Sequence, residues 1–123
     1  MMRERSRSEE LLIERVKEIC AGLPETTTEV DGFGHTAFRV AGRPFVLIGG
    51  GHGNGSLSLK TDPATQEQLV SEGPYIRTPG LGQHGWVTVW GDARLDWIEV
   101  AELIREGWQR AAPKRLTRDT AGY

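Results

Sequence analysis

Residues 30–60 read VDGFGHTAFRVAGRPFVLIGGGHGNGSLSLK. Three apolar runs lie within this segment: Thr36–Val40, Phe45–Ile48 and the alternating Leu57-Ser58-Leu59. Each is short, rich in β-branched, aromatic or alternating residues, and bounded by glycine or proline, the pattern of an antiparallel meander. Phe38 and Val40 alternate with Ala37 and Arg39, so one side of that strand faces a core. Phe45–Ile48 is nearly continuous in apolar character and reads as a central strand. Ala41-Gly42-Arg43-Pro44 supplies a turn, and the glycine run 49–55 ends in Asn54-Gly55, a hairpin dipeptide. Thr26–Val30 is a weaker strand ahead of the meander.

Working outward, helical periodicity flanks the sheet. Leu12, Val16, Ile19 and Cys20 share one helix face over Ser8–Cys20. Ser6 and Glu9 match a capping box, with Ser8 a second candidate cap. Gly22 occupies the place of a left-handed terminating residue, and Pro24 prevents continuation. Asp62 and Pro63 open a second, short helix that Gly73-Pro74 ends near Glu72. Tyr75–Arg77 is a candidate strand within a loop-rich stretch, and Trp86–Trp90 is a clear strand. A third helix starts at Asp96 with Glu99 as its capping partner and Leu95/Val100 as a hydrophobic staple. Its apolar face is Trp97, Ala101, Ile104, Trp108 and Ala111, and Pro113 ends it. The fold class expected is α+β: a two-layer domain with an antiparallel sheet and the helices at about 8–21 and 96–111 on one face.

The chain has 123 residues, 37% hydrophobic and 26% charged, which suits one globular core. Residues 1–7 read as a flexible basic tail, 8–118 as a single domain, and 119–123 as a C-terminal tail, with Lys114–Arg118 basic. No internal repeat or domain boundary interrupts it. No window approaches the roughly eighteen apolar residues of a membrane span, and the opening residues lack a signal-peptide core. Cys20 is the single cysteine, so no internal disulfide forms and a cytoplasmic location is expected. Its place on the apolar helix face makes it a buried small hydrophobe rather than a nucleophile. The net charge of −2 argues against strong non-specific nucleic-acid binding but not against a local basic patch.

Five segments together are similar to the MmcQ/YjbR family. They are Leu23-Pro24-Glu25, the stretch from Gly34 to Phe45, Leu57–Lys60, Gly82-Gln83-His84-Gly85-Trp86-Val87 and Ala112–Leu116. They occur in order over nearly the whole chain. The resemblance implies an approximately α-β(3)-α-β(2)-α domain of a double-wing, CyaY-like type and a DNA-binding role, a role that rests on fold analogy. The glycine-rich stretch 49–55 departs from the family pattern.

If Phe38/Val40, Leu57/Leu59 and Val87/Val89 face the helices, the opposite sheet face carries Arg39, Ser58, Lys60, Trp86, Thr88 and Trp90. Cationic groups beside aromatic rings are what stacked, unpaired bases require. Large exposed aromatics more often mark a protein contact or are covered by intramolecular packing, and a small ligand is a further alternative for the same face. The candidate nucleic-acid contacts are therefore Arg39, Ser58, Lys60, His84 and Trp86, with Lys114 and Arg115 from the basic tail. The partners expected are single- or double-stranded DNA, or alternatively a protein or a second copy of the chain.

The remaining motifs point to no chemistry. The glycine run leads into a strand and lacks both the Gly-Lys-Ser/Thr and the G-x-G-x-x-G spacing of phosphate loops. His35, His52 and His84 are dispersed, without the convergent ligands zinc needs, so no metal and no other cofactor is expected. Asp31 and His35 can be neighbours across a turn, but His35, following Gly34, reads as a hydrogen-bonded structural histidine at a strand entrance rather than as a metal ligand. No serine or cysteine sits beside an activating base, and the Glu25, Glu29 and Asp31 cluster fits a strand edge, so no enzymatic activity is expected.

Overall fold

The computed structural model describes residues 5–91 and 93–121, with 119–121 as backbone only. Residues 1–4 and 122–123 of the expected tails lie outside the described residues. Helix α1 spans Arg7–Cys20, and α2, α3 and α4 span Pro63–Glu72, Trp97–Ala111 and Lys114–Ala121. The strands are β1 Thr26–Val30, β2 Thr36–Val40, β3 Arg43–Gly49, β4 Ser56–Lys60, β5 Ile76–Arg77 and β6 Trp86–Trp90. A 3-10 turn, Gly82–His84, precedes β6. The strands form one antiparallel sheet in the order β1-β2-β3-β4-β6-β5. Thr26–Val30 is a full strand, so four strands precede α2 rather than three. The residues read as a basic tail at 114–118 form α4, whose Leu116 is buried in the core.

Register sorts the side chains. Phe38, Val46, Leu59 and Val87 lie across one line of the sheet, and Thr36, Ile48, Leu57 and Val89 across the next. Their apolar members join Leu12, Ile13 and Val16 of α1 and Val100, Ile104 and Trp108 of α3 in one buried cluster. Both long helices therefore cover the same face, as their apolar stripes require. A bulge between Phe38 and Arg39 leaves Phe45 as an additional residue on β3, and its side chain turns toward Gly107 of α3.

The local signals mostly act as read. Ser6 Oγ accepts the Glu9 N–H at 3.1 Å and caps α1, which begins at Arg7. Asp62 Oδ1 caps α2 through the Thr65 N–H, and Asp96 Oδ1 caps α3 through Ile98 and Glu99. Two turns differ from their sequence reading. Gly22 is not left-handed; Glu25, at φ 54, takes that conformation beyond Pro24. Asn54-Gly55 is not a two-residue hairpin, because β3 and β4 separate after Gly49–Ser56, and the Gly53 and Gly55 N–H groups both turn back to the Gly50 carbonyl. The tight hairpin is Ala41-Gly42, with both residues at positive φ, between paired Val40 and Arg43. No helix among the described residues is long and apolar enough to cross a membrane.

Candidate functional site

The sheet face away from the core cluster runs Ala37, Leu47, Ser58, Thr88 and Ile76 across one line. Ala37, Ser58 and Thr88 are buried although none of them belongs to the cluster under α1 and α3. The Ser58 and Thr88 hydroxyls lie 2.8 Å apart, and Thr78 stands 2.8 Å beyond Thr88. Ser58 is thus committed to an internal hydroxyl chain rather than held out to a ligand. Trp90, at the far end of β6, packs against His52 with ring centroids 4.8 Å apart.

The near end of the sheet is different. Arg43 opens β3, Lys60 closes β4, and Trp86 opens β6 directly opposite Lys60. His84 precedes Trp86 in the 3-10 turn, and Arg110 sits at the end of α3. These five side chains, with Pro44 and Ala111, line one open cavity of about 390 Å³. None of the described lining residues is acidic. Helix α3 reaches this end because Gly107 lies against β4: a Cβ there would stand 3.0 Å from the Lys60 carbonyl oxygen.

Hydrogen bonds, some of them buried, hold the cavity walls. The Gln66 side-chain amide of α2 donates to the Gly82 carbonyl at 2.7 Å and to the Trp86 carbonyl at 3.0 Å. The Gly85 carbonyl accepts both the Thr61 N–H at 3.1 Å and the Thr61 hydroxyl at 2.5 Å. Arg110 Nη2 donates to Asp62 Oδ2 at 2.7 Å. The Thr65 backbone N–H, then the Thr65 hydroxyl, and finally Arg110 hold the Asp62 carboxyl below its ordinary range, against the opposing effect of burial. One carboxylate therefore both starts α2 and positions Arg110.

Trp86 is only 3% exposed, so it is a wall of the cavity and not an open stacking platform. Lys60 Nζ lies 6.0 Å from its ring centroid, at the outer limit of a cation–π contact. Of the residues singled out in the sequence, Lys60, His84 and Trp86 meet here. Arg39 does not line the cavity: it donates to the Gly42 carbonyl at 3.0 Å, and its Nε lies 2.5 Å from Glu29 Oε1. Arg115 forms a two-pronged pair with Glu25 at 2.7 and 2.8 Å. That pair, through its hydrogen bond first, holds the Glu25 carboxyl below its ordinary range. Lys114 is exposed beside Arg115 at the start of α4.

Arg43 and Arg110 are cavity residues that sequence reading missed. Arg43 had a local signal: a two-residue Ala41-Gly42 turn starts β3 at Arg43. Arg110 had none, since only the close approach at Gly107 brings it to the strand ends.

His35 is structural, as its sequence context suggests. Asp31 Oδ1 accepts the Phe33 N–H at 2.8 Å and the His35 N–H at 3.0 Å, and Oδ2 lies 3.4 Å from His35 Nδ1. Among the described residues no three histidine, cysteine, aspartate or glutamate side chains converge as a metal site. Burial pushes the Cys20 thiol up to about 12, so it stays protonated and inert at neutral pH.

A family model named YjbR matches residues 21–110. The crystal structure of the Deinococcus radiodurans protein DR2400, which carries a DUF419 domain, superposes with a TM-score of 0.73 at 22% identity. That likeness covers 89% of this chain and 87% of the other, and at this identity it concerns the fold. No curated protein matches the chain. The chain belongs to the YjbR family, and its α+β architecture is that of its structural neighbour.

Proposed function

We propose that this YjbR-family chain is a non-enzymatic nucleic-acid-binding protein that engages phosphate at the basic end of its sheet. One observation carries the reading: Arg43, Lys60, His84 and Arg110, from four separate segments, line a single cavity with no acidic residue among its described lining residues. Guanidinium forks and an ammonium group are the side chains suited to phosphate oxygens. With a net charge of −2, long-range steering is weak, so binding relies on this local cluster. Base stacking contributes little, because Trp86 is buried. Arg39 and Arg115, held by Glu29 and Glu25, contribute less than Lys60 and Arg43.

Fluorescence anisotropy with single- and double-stranded oligonucleotides tests this. Binding should weaken steeply between about 50 and 200 mM salt. Lys60→Gln and Arg43→Gln should each lower the slope of log K against log salt by about 0.7–0.9, with folding unchanged. Absence of binding by the wild type at about 50 mM salt refutes the proposal. A second reading, a protein or self-association surface, draws support from Ile76, an apolar side chain that is 40% exposed on β5 at the edge of the sheet. Sedimentation of wild type against Ile76→Glu separates the two.

A further inference from the structure

We infer that the cavity at the basic end of the sheet takes a phosphate monoester, the terminal phosphate of a nucleotide or of an oligonucleotide end, rather than the diesters along a strand. This rests on the preceding reading of the same cavity as a phosphate site and narrows its ligand.

Charge concentration is the first argument. A groove that follows a nucleic-acid backbone needs cations spread along a path, each meeting a singly charged diester. Here the neighbouring candidates for such a path, Arg39 and Arg115, are occupied by Glu29 and Glu25. Arg43, Lys60 and Arg110 instead surround one cavity of about 390 Å³. That size lies toward the small end of the roughly 300–1,000 Å³ typical of small-ligand sites. No carboxylate pairs with Arg43 or Lys60 among the described residues, and Asp62 offsets Arg110 from behind. Two positive charges thus remain uncompensated. A monoester carries about −1.5 to −2 at neutral pH, with three terminal oxygens, and so matches that charge better than a diester.

Shape is the second argument. Trp86, Pro44 and Ala111 form an apolar part of the wall beside the cations. A ligand with a charged phosphate and a flat, less polar body uses both parts. Arg110 can serve the phosphate while bound to Asp62, because a guanidinium carries five N–H donors. Gln66 and Thr61 hold the Gly82–Trp86 segment of the wall in place, so the ligand meets a preorganised site.

The test uses the full chain with decathymidylate labelled at its 3′ end, carrying either a 5′-phosphate or a 5′-hydroxyl. Adenosine 5′-monophosphate, adenosine and inorganic phosphate are titrated in parallel by calorimetry. The phosphorylated oligonucleotide should bind about tenfold more tightly, the effect of one further charge-assisted contact. Lys60→Gln and Arg43→Gln should remove that preference while melting as the wild type does. The monophosphate should bind and adenosine should not, with inorganic phosphate weaker than the nucleotide. Equal affinity for the two oligonucleotides overturns the monoester site and leaves the nucleic-acid reading standing. Binding of the monophosphate alone, lost in Lys60→Gln, upholds the site and refutes the nucleic-acid reading. Inorganic phosphate binding as tightly as the nucleotide overturns the role of the apolar wall. No binding of any probe at millimolar concentration overturns both proposals.

Discussion

Replacing Gly85 by alanine tests the packing on which the cavity depends. Gly85 has φ +86 and joins the 3-10 turn to β6. A Cβ there would lie 2.3 Å from the Thr61 carbonyl oxygen and 3.0 Å from its carbon. Ordinary carbon–oxygen contacts begin near 3.3 Å, so the Thr61 backbone must retreat by about 1 Å. Thr61 cannot do so freely, since its N–H and hydroxyl both bond the Gly85 carbonyl. The left-handed backbone costs about 1–2 kcal/mol for a residue with a Cβ. Forced displacement in a packed site costs about 1–3 kcal/mol more. Gly42→Ala is the control: its φ is +76, but nothing lies within 4 Å of the added carbon, so it incurs only the first cost. A kcal/mol corresponds to about 3–6 °C for a domain of this size. Gly85→Ala should therefore melt about 3–18 °C below Gly42→Ala, and urea denaturation should give the same order. It should also weaken phosphate binding, because His84 and Trp86 flank it. Equal stability of the two variants would refute the close approach of Gly85 to Thr61.

Other perturbations follow from single contacts. Asp62→Ala should cost about 1–2 kcal/mol as a lost helix cap, whereas Asp62→Asn, an equally good cap, should retain most of that stability in urea titration. Both should alter phosphate affinity through Arg110, and Asp62→Ala as stable as wild type would exclude the capping role. Trp108→Phe removes the 3.1 Å hydrogen bond to the Pro24 carbonyl and leaves unfilled space, so a loss of about 1–3 kcal/mol is expected. Acid should destabilise the fold. Asp62 and Glu25 are held below their ordinary 3.8 and 4.5, and Asp31 below 3.8 because the His35 and Phe33 N–H bonds outweigh the upward effect of its burial. The unfolded chain takes up protons first as pH falls, so this stability is present above about pH 5 and lost below about pH 4. A melting temperature that rises from pH 5 to pH 3 would contradict the sign.

Elements whose cause is local could be read from the sequence. Periodicity at Leu12, Val16 and Cys20, the Ser6, Asp62 and Asp96 caps, and strict alternation in Leu57–Leu59 and Trp86–Trp90 each depend on neighbours within a few residues. Their apolar faces also required that α1 and α3 share one side of the sheet. Turn geometry was less legible. The Ala41–Pro44 turn was placed but not its type, and glycine at 51, 53 and 55 permits several loop shapes, of which the structure takes one closed on the Gly50 carbonyl. Helix α4 was hidden by its high charge, because its stability comes from Leu116 entering a core built by other segments. The candidate site divides in the same way. Lys60 and Trp86 could be placed on one face by alternation, but alternation cannot say whether a ring is open or buried. Arg39 and Arg115 looked available because their carboxylate partners, Glu29 and Glu25, lie 10 and 90 residues away in sequence. Arg110 joined Arg43 and Lys60 only when Gly107 let α3 settle on the end of β4. Charge compensation and close backbone approach depend on distances in space, and those are set by the packing of the whole domain.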